Sequence, residues 1–280
     1  CDIGRGYTKY YSEFNGRIYK GIFKSIIGES RPLNYDDYAD PISIEVNGNG
    51  YFCGGLAELE SHQAVRNSGD SKVSLTVQIL ISAILSRCAM TDDINIMLGC
   101  PNNMYKKSEL MKVIDTYQGK KLTIKDKVSN TIKVVTINAI EIFKEADAVM
   151  MASTNGEPSE DMDMAFISVG FRSTEISYYS KGQYIDKYSK TIPFGNQTIL
   201  STVQEQLKDR GIIHDLNYID SNVGDYDDLK ASAYALSQEV LTQKIEEIIK
   251  NQFSETKIIV AGGTALRMEL DPRFELYEDA

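Results

Sequence analysis

Histidine and cysteine are scarce in this chain. Two histidines, His62 and His214, and four scattered cysteines, Cys1, Cys53, Cys88 and Cys100, form no Cys-x-x-Cys and leave no material for a structural zinc site. The thiols read as reduced and the location as cytoplasmic, because disulfide-stapled chains are small and dense in cysteine. No run of ~18 apolar residues occurs, so no transmembrane helix is expected. The opening Cys1-Asp2-Ile3-Gly4-Arg5 does not read as a signal peptide. Several common chemistries lack their motifs: there is no Gly-x-Ser-x-Gly elbow, no Walker-type phosphate loop, no His-Glu-x-x-His and no Gly-x-Gly-x-x-Gly. Catalysis would therefore rest on carboxylates, hydroxyls, backbone amides and a metal.

What is present is ordinary for a globular protein: 280 residues, 42% hydrophobic and 25% charged. That length suggests two domains or two lobes of one fold. The 20 glycines and 6 prolines show no period, which excludes a collagen-like fibre. Forty acidic against 30 basic residues give a net charge of −10. Such a chain repels phosphate backbones, so neither direct nucleic-acid binding nor membrane association is expected.

Along the chain, residues 1–27 read as two or three strands around the hairpin signal Asn15-Gly16. Residues 28–55 are turn-rich, with short strands near 42–46 and 50–52. The apolar spacing from Lys72 to Met90 predicts a buried helix. A strand at 94–98, a helix at 104–117, a hairpin at 120–136, a strand at 138–143 and a helix from Glu145 follow. The polar stretch 153–163 is the expected lobe boundary. Beyond it come strands at 164–169, 175–180 and 183–191, helices at 197–210 and 230–252, and a buried strand at 258–260. That last strand runs into Gly262-Gly263 and an expected helix start.

The most informative feature is an internal repeat. Asp2-x-Gly4-x-x-x-Thr8 recurs as Ser168-x-Gly170-x-x-x-Thr174, and the turn Asn15-Gly16 recurs at the same offset as Lys181-Gly182. Each copy is a strand, a glycine turn with a hydroxyl, a second strand, a tight turn and a third strand. Repetition of this unit predicts two facing halves with a cleft between them. A glycine turn lets backbone N–H groups converge on an anion, Lys9 adds positive charge, and Asp2 suits Mg²⁺. Taken alone, either loop reads first as an ordinary hairpin with glycine where the turn needs it. The third element, Val260-Ala261-Gly262-Gly263-Thr264, removes side chains where a flat ring or ribose would lie.

In this order and spacing the three elements resemble the actin, Hsp70 and sugar-kinase ATPase superfamily, over nearly the whole chain. Size and the Asp-x-Gly-x-x-x-Thr-Lys form most resemble prokaryotic actins of the ParM type, which segregate plasmids, and archaeal actin-like proteins. The resemblance implies an α/β, actin-like (ribonuclease H-like) duplicated fold. It would have two lobes, 1–153 and 154–280, with mixed sheets flanked by helices around a nucleotide cleft and a small subdomain within 28–70. It implies phosphate contacts from Gly4, Thr8, Lys9, Gly170, Ser173 and Thr174, and an adenosine border at Gly262, Gly263 and Thr264, with Gly195 near the nucleotide. Glu145 would position the attacking water, since phosphoryl transfer to water needs orientation more than a strong base; the plain alternative is a solvated helix N-terminal acid. Asp2 and Ser168 would face the metal. Lys244 and Glu239 on the long helix would approach the base, or simply lie on a solvated face.

Three departures qualify the resemblance. Ser168 stands where the family usually has Asp, which implies slow hydrolysis or a metal held mainly by Asp2. The segment looks shorter than the native protein at both ends. The interval between Gly195 and Ala261 leaves little room for an outer subdomain in the second lobe. The expected function is an ATP-dependent, or GTP-dependent, filament-forming ATPase that binds ATP/ADP with Mg²⁺. It would self-associate head to tail and reach plasmid DNA through an adaptor protein. The alternatives are a non-polymerising ATPase or small-molecule kinase of the same superfamily, and a nucleotide-binding scaffold without turnover.

Overall fold

The computed structural model describes residues 1–222 and 224–278. The chain divides into two compact units, the first comprising Cys1–Cys100 and Met104–Phe143, the second Pro101–Asn103 and the chain from Lys144 onward.

In the first unit, β1 (Asp2–Ile3), β2 (Tyr7–Phe14) and β3 (Arg17–Lys24) form an antiparallel meander. The β2–β3 turn is Asn15-Gly16, with φ of 52° and 72°. These positive values are what a two-residue hairpin loop requires and what Asn-Gly tolerates. The remaining elements are β4 (Ile26–Glu29), β5 (Ile42–Val46), β6 (Asn49–Cys53), α1 (Gly55–Glu60), β7 (Val65–Arg66), α2 (Leu75–Cys88), β8 (Asp93–Cys100), α3 (Lys107–Tyr117), β9 (Lys121–Asp126) and β10 (Thr131–Lys144). Seven of these strands make one sheet in the order β7-β4-β6-β5-β9-β10-β8. Helix α2 is the predicted buried helix. Ser74 caps it by accepting from Val77 N at 3.3 Å, and Val77, Leu80, Ile81 and Ile84 share one core with Ile44, Ile124, Ile137 and Leu98. The expected hairpin strand and the strand after it are one continuous β10, which pairs with β9 from Thr131 to Thr136 and has β8 as its other neighbour.

The second unit contains α4 (Glu145–Thr154), β11 (Asp163–Val169), β12 (Thr174–Ser180), β13 (Gln183–Tyr184), β14 (Lys190–Ile192), α5 (Asn196–Asp209), α6 (Leu216–Ser221), α7 (Asp227–Ile249), β15 (Lys257–Ala261) and β16 (Phe274–Leu276). Its sheet is mixed: β11 runs antiparallel to β12 and parallel to β15, which runs parallel to β16. Strand alternation sorts the core. Ala165, Ile167, Val169, Ile258 and Val260 pack with Ile199, Leu200, Leu241 and Ile245 of α5 and α7. Met164, Phe166, Ile259 and Ala261 pack with Val149 and Met150 of α4. The sheet is thus buried on both faces, which explains the continuous apolar run Ile258-Ile259-Val260. Because α4 lies on this sheet, the boundary between units falls at Phe143/Lys144, before the polar stretch that the sequence suggests. There α4 ends, at Asn155 in the left-handed region.

Three local expectations are corrected. Residues 183–191 are not one strand: Ser189 accepts from Tyr178 N at 3.0 Å and donates to Ile185 O at 2.9 Å, which inserts a 3-10 turn between β13 and β14. Gly262-Gly263 leads into a 3-10 turn at Ala265–Arg267 rather than a helix. Helix α6 was not expected; its signal was Asp215, whose carboxylate caps Tyr218 N at 2.7 Å.

Candidate functional site

The repeat seen in the sequence recurs bond for bond. In the first unit Asp2 faces Lys9 and Ile3 faces Thr8 across the β1–β2 hairpin, which Gly4 N closes by donating to Tyr7 O at 3.1 Å. In the second unit Ser168 faces Glu175 and Val169 faces Thr174, and Gly170 N donates to Ser173 O at 3.0 Å. The following turns match as well, with Lys181 and Gly182 at φ of 47° and 79°. The copies differ in charge: Lys9 in the first corresponds to Glu175 in the second.

In the first turn the Thr8 hydroxyl is buried and pairs with the Ser25 hydroxyl at 2.9 Å. A Cβ on Gly4 would meet Tyr7 O at 2.8 Å, so this position accepts only glycine without rearrangement. Asp2 Oδ1 is buried without a hydrogen-bond partner, and Lys9 is half-buried on β2. The carbonyls of this turn are held from outside it. Lys72 Nζ donates to Ile3 O at 2.9 Å, Asn67 Nδ2 to Gly4 O at 3.2 Å, and Ser25 N and Arg66 to Gly6 O at 2.9 and 3.4 Å. Arg5 pairs with Asp70.

In the second unit Gly170, Gly195, Gly262 and Thr264 come together. Gly170 O accepts from Asn196 N at 3.2 Å and from the Thr264 hydroxyl at 2.8 Å, and Val169 O from Thr264 N at 3.3 Å. A Cβ on Gly195 would meet Gly170 O at 2.5 Å, and one on Gly262 would meet Val169 O at 2.5 Å. Gly262 also has φ of +105°. Gly263 differs: it is exposed and nothing lies within 4 Å of its Cβ direction. The Thr174 hydroxyl donates to Phe194 O at 2.8 Å and the Ser173 hydroxyl to Glu175 at 3.1 Å. Glu175, buried, also accepts from Asn102 N at 3.0 Å and Thr191 at 2.5 Å. By strand parity Ser168 lies on the sheet face that α4 covers, and Glu145 opens that helix. On α7, Glu239 is exposed and Lys244 half-buried.

The hydroxyls expected at phosphates, on Thr8, Ser173 and Thr174, and the Thr264 hydroxyl expected at the adenosine thus each have a protein partner that shapes a turn. Sequence reading missed Arg66, Asn67, Lys72 and Glu175. A lysine at the head of the apolar stretch 72–90 was the one visible signal.

A divalent cation fits the first turn. Among the described residues no group of three or more His, Cys, Asp or Glu side chains is placed to hold a metal unaided. Mg²⁺ is typically bound by one or two carboxylates, with water and substrate phosphates completing its shell. The unpartnered Asp2 oxygen supplies such a ligand.

A duplicated strand-turn-strand unit, once in an antiparallel meander and once in a mixed sheet, with flanking helices, defines the actin-like fold. The chain belongs to the actin-like proteins: the family described as "Actin like proteins N terminal domain" matches residues 1–146. No curated protein sequence matches it. Among solved structures it is similar to Ta0583, an archaeal actin homolog, at 15% identity and a TM-score of 0.79, covering 98% of this chain and 92% of that one; Ta0583 is also solved in complex with ADP. It is similar to the ParM of a 15-stranded filament from Clostridium botulinum, at 18% identity and a TM-score of 0.76, covering 98% and 95%. It is also similar to AlfA in a filament bound to AMPPNP, at 18% identity and a TM-score of 0.60, covering 95% and 82%. Among the described residues no helix is long and apolar enough to cross a membrane.

Proposed function

We propose that this chain is a nucleotide-dependent, filament-forming actin-like protein. The observation that carries the reading is the duplicated glycine turn, with matching register and closing hydrogen bond in both copies. Backbone turns of this kind are anion sites. ATP, with GTP as the alternative, is the ligand the reading names. Lys9 would serve its phosphates from the first turn; Gly4 and Gly170, whose own N–H groups close the two hairpins, would let the turns approach the phosphates, while Thr8, Ser173 and Thr174 would hold the turns in shape. The exposed, open Gly263 would border the adenosine, with Gly195, Gly262 and Thr264 building the backbone beneath it.

Asp2, and more weakly Ser168, would hold Mg²⁺, which supplies charge neutralisation on the phosphates when bound. Glu145 would orient the attacking water. A hydroxyl at Ser168 is a poorer partner than a carboxylate for a hydrated cation, so hydrolysis is expected to be slow. Head-to-tail addition of subunits is a heterologous contact that does not close, which yields a helical filament; hydrolysis would then loosen it. The filaments formed by ParM and AlfA support this reading. The net charge of −10 favours contact with plasmid DNA through an adaptor protein over direct binding.

The test is right-angle light scattering with pelleting, in Mg²⁺ with ATP, GTP, ADP or a non-hydrolysable analogue. A triphosphate-dependent rise that decays as phosphate is released is expected. No rise at tens of micromolar protein would refute assembly and point to a monomeric ATPase or small-molecule kinase.

A further inference from the structure

The two turns solve one electrostatic problem by different means. A carbonyl oxygen directed at an anion repels it, so a turn that binds phosphate must hold its carbonyls elsewhere. In the second unit main-chain donors and one hydroxyl do this: Asn196 N and Thr264 on Gly170 O, Gln197 N on Phe171 O at 2.7 Å, and Thr264 N on Val169 O. The first turn has no helix N-terminus in that role. Its carbonyls are held mainly by side chains of the short stretch 66–72: Lys72 on Ile3, Asn67 on Gly4 and Arg66 on Gly6.

Lys72 is only 5% exposed. Burying an ammonium is costly, and an apolar side chain of that length would pack there at lower cost. What lysine adds is a donor for the Ile3 carbonyl and a positive charge beside the residues that begin the turn. The Tyr117 hydroxyl fixes the backbone of Lys72 by donating to its carbonyl at 2.6 Å, with burial holding the phenol well above its ordinary pKa and so protonated at neutral pH.

We propose that Lys72, together with Asn67, is a positioning residue for phosphate binding, holding the Ile3 and Gly4 carbonyls away from the anion so that the first turn is preformed. For its ligand this rests on the nucleotide reading; for the preformed turn it does not. Two measurements on the full chain, with K72M and N67A, separate these. The first is hydrogen exchange of the 3–7 segment without nucleotide. Exchange is expected to rise at least tenfold in both variants, while the β5–β6 segment stays as in the unaltered protein. The second is calorimetric affinity for adenosine and for a non-hydrolysable ATP analogue. Tenfold or greater weakening is expected for the analogue, with adenosine changed less than twofold.

Unchanged exchange at 3–7 in N67A and in a folded K72M would overturn the proposal whether or not the chain binds nucleotide. So would exchange rising equally across the whole first unit, or equal losses of adenosine and analogue affinity, because each marks a merely structural role. An unaltered protein that binds no nucleotide would refute the functional reading, while the exchange measurement still decides the positioning role.

Discussion

Two adjacent glycines offer the sharpest test of how this fold builds its site. Gly262 has φ of +105°, and its Cβ position lies 2.5 Å from Val169 O and 2.9 Å from Val169 N. Both obstacles are backbone of a fully buried residue at the end of β11, held by its antiparallel pairing with Thr174, so neither can swing aside. An alanine there incurs backbone strain of ~1–3 kcal/mol and overpacking of ~1–3 kcal/mol, together roughly 2–6 kcal/mol. At ~2–4 °C per kcal/mol this predicts a fall in Tm of roughly 4–24 °C for G262A. Gly263 has no atom within 4 Å of its Cβ direction and no positive φ. G263A should therefore hold its Tm within about 1 °C or raise it slightly, because alanine reduces the entropy of the unfolded chain. Its methyl would instead occupy the space assigned to the nucleoside, and a tenfold or greater loss of ATP affinity is expected. Differential scanning calorimetry and nucleotide titration on both variants decide the matter. A G262A protein with unaltered Tm, or a G263A protein destabilised to the same degree, would refute the division into a structural and a ligand-facing glycine.

Two further outcomes are expected. E145A should keep triphosphate binding and lower the hydrolysis rate by ~10²-fold, because the attacking water loses its orientation, so that filaments outlast those of the unaltered protein; equal phosphate-release rates would remove Glu145 from the chemistry. Hydrogen bonds donated by Tyr178 at 2.6 Å and Ser180 at 2.7 Å hold the Asp163 carboxyl below its ordinary range. A depressed carboxylate contributes stability above its unfolded value, ~3.9, and that stability is lost as pH falls through the folded value. The gap in urea midpoint between the unaltered protein and D163N should thus close below about pH 4, and a gap constant from pH 7 to 2.5 would contradict the assignment.

The repeat was legible because hairpin geometry is local. Asn15-Gly16 and Lys181-Gly182 specify their turns through backbone conformation alone, and the constant offset between Asp2-x-Gly4 and Ser168-x-Gly170 carries the duplication. The apolar runs at 75–88 and 258–260 identified a buried helix and a buried strand for the same reason: their patterns reflect what must leave water, whichever neighbour covers them. The sequence could not show that Ser189 breaks the third strand of the second copy, since that depends on which strand lies opposite.

Candidate residues were found by type and spacing, but their partners were not. Thr8 and Thr174 have the right chemistry for phosphate and Thr264 for an adenosine border, yet their hydroxyls meet Ser25, Phe194 O and Gly170 O. The carbonyl-holding set Arg66, Asn67 and Lys72 left no motif, because it meets the first turn from 60 to 69 residues away. Short-range pattern therefore determined the turns, the repeat and the family. Which polar groups shape those turns was decided only by tertiary packing, because a hydrogen bond between distant segments depends on where the chain brings its donor.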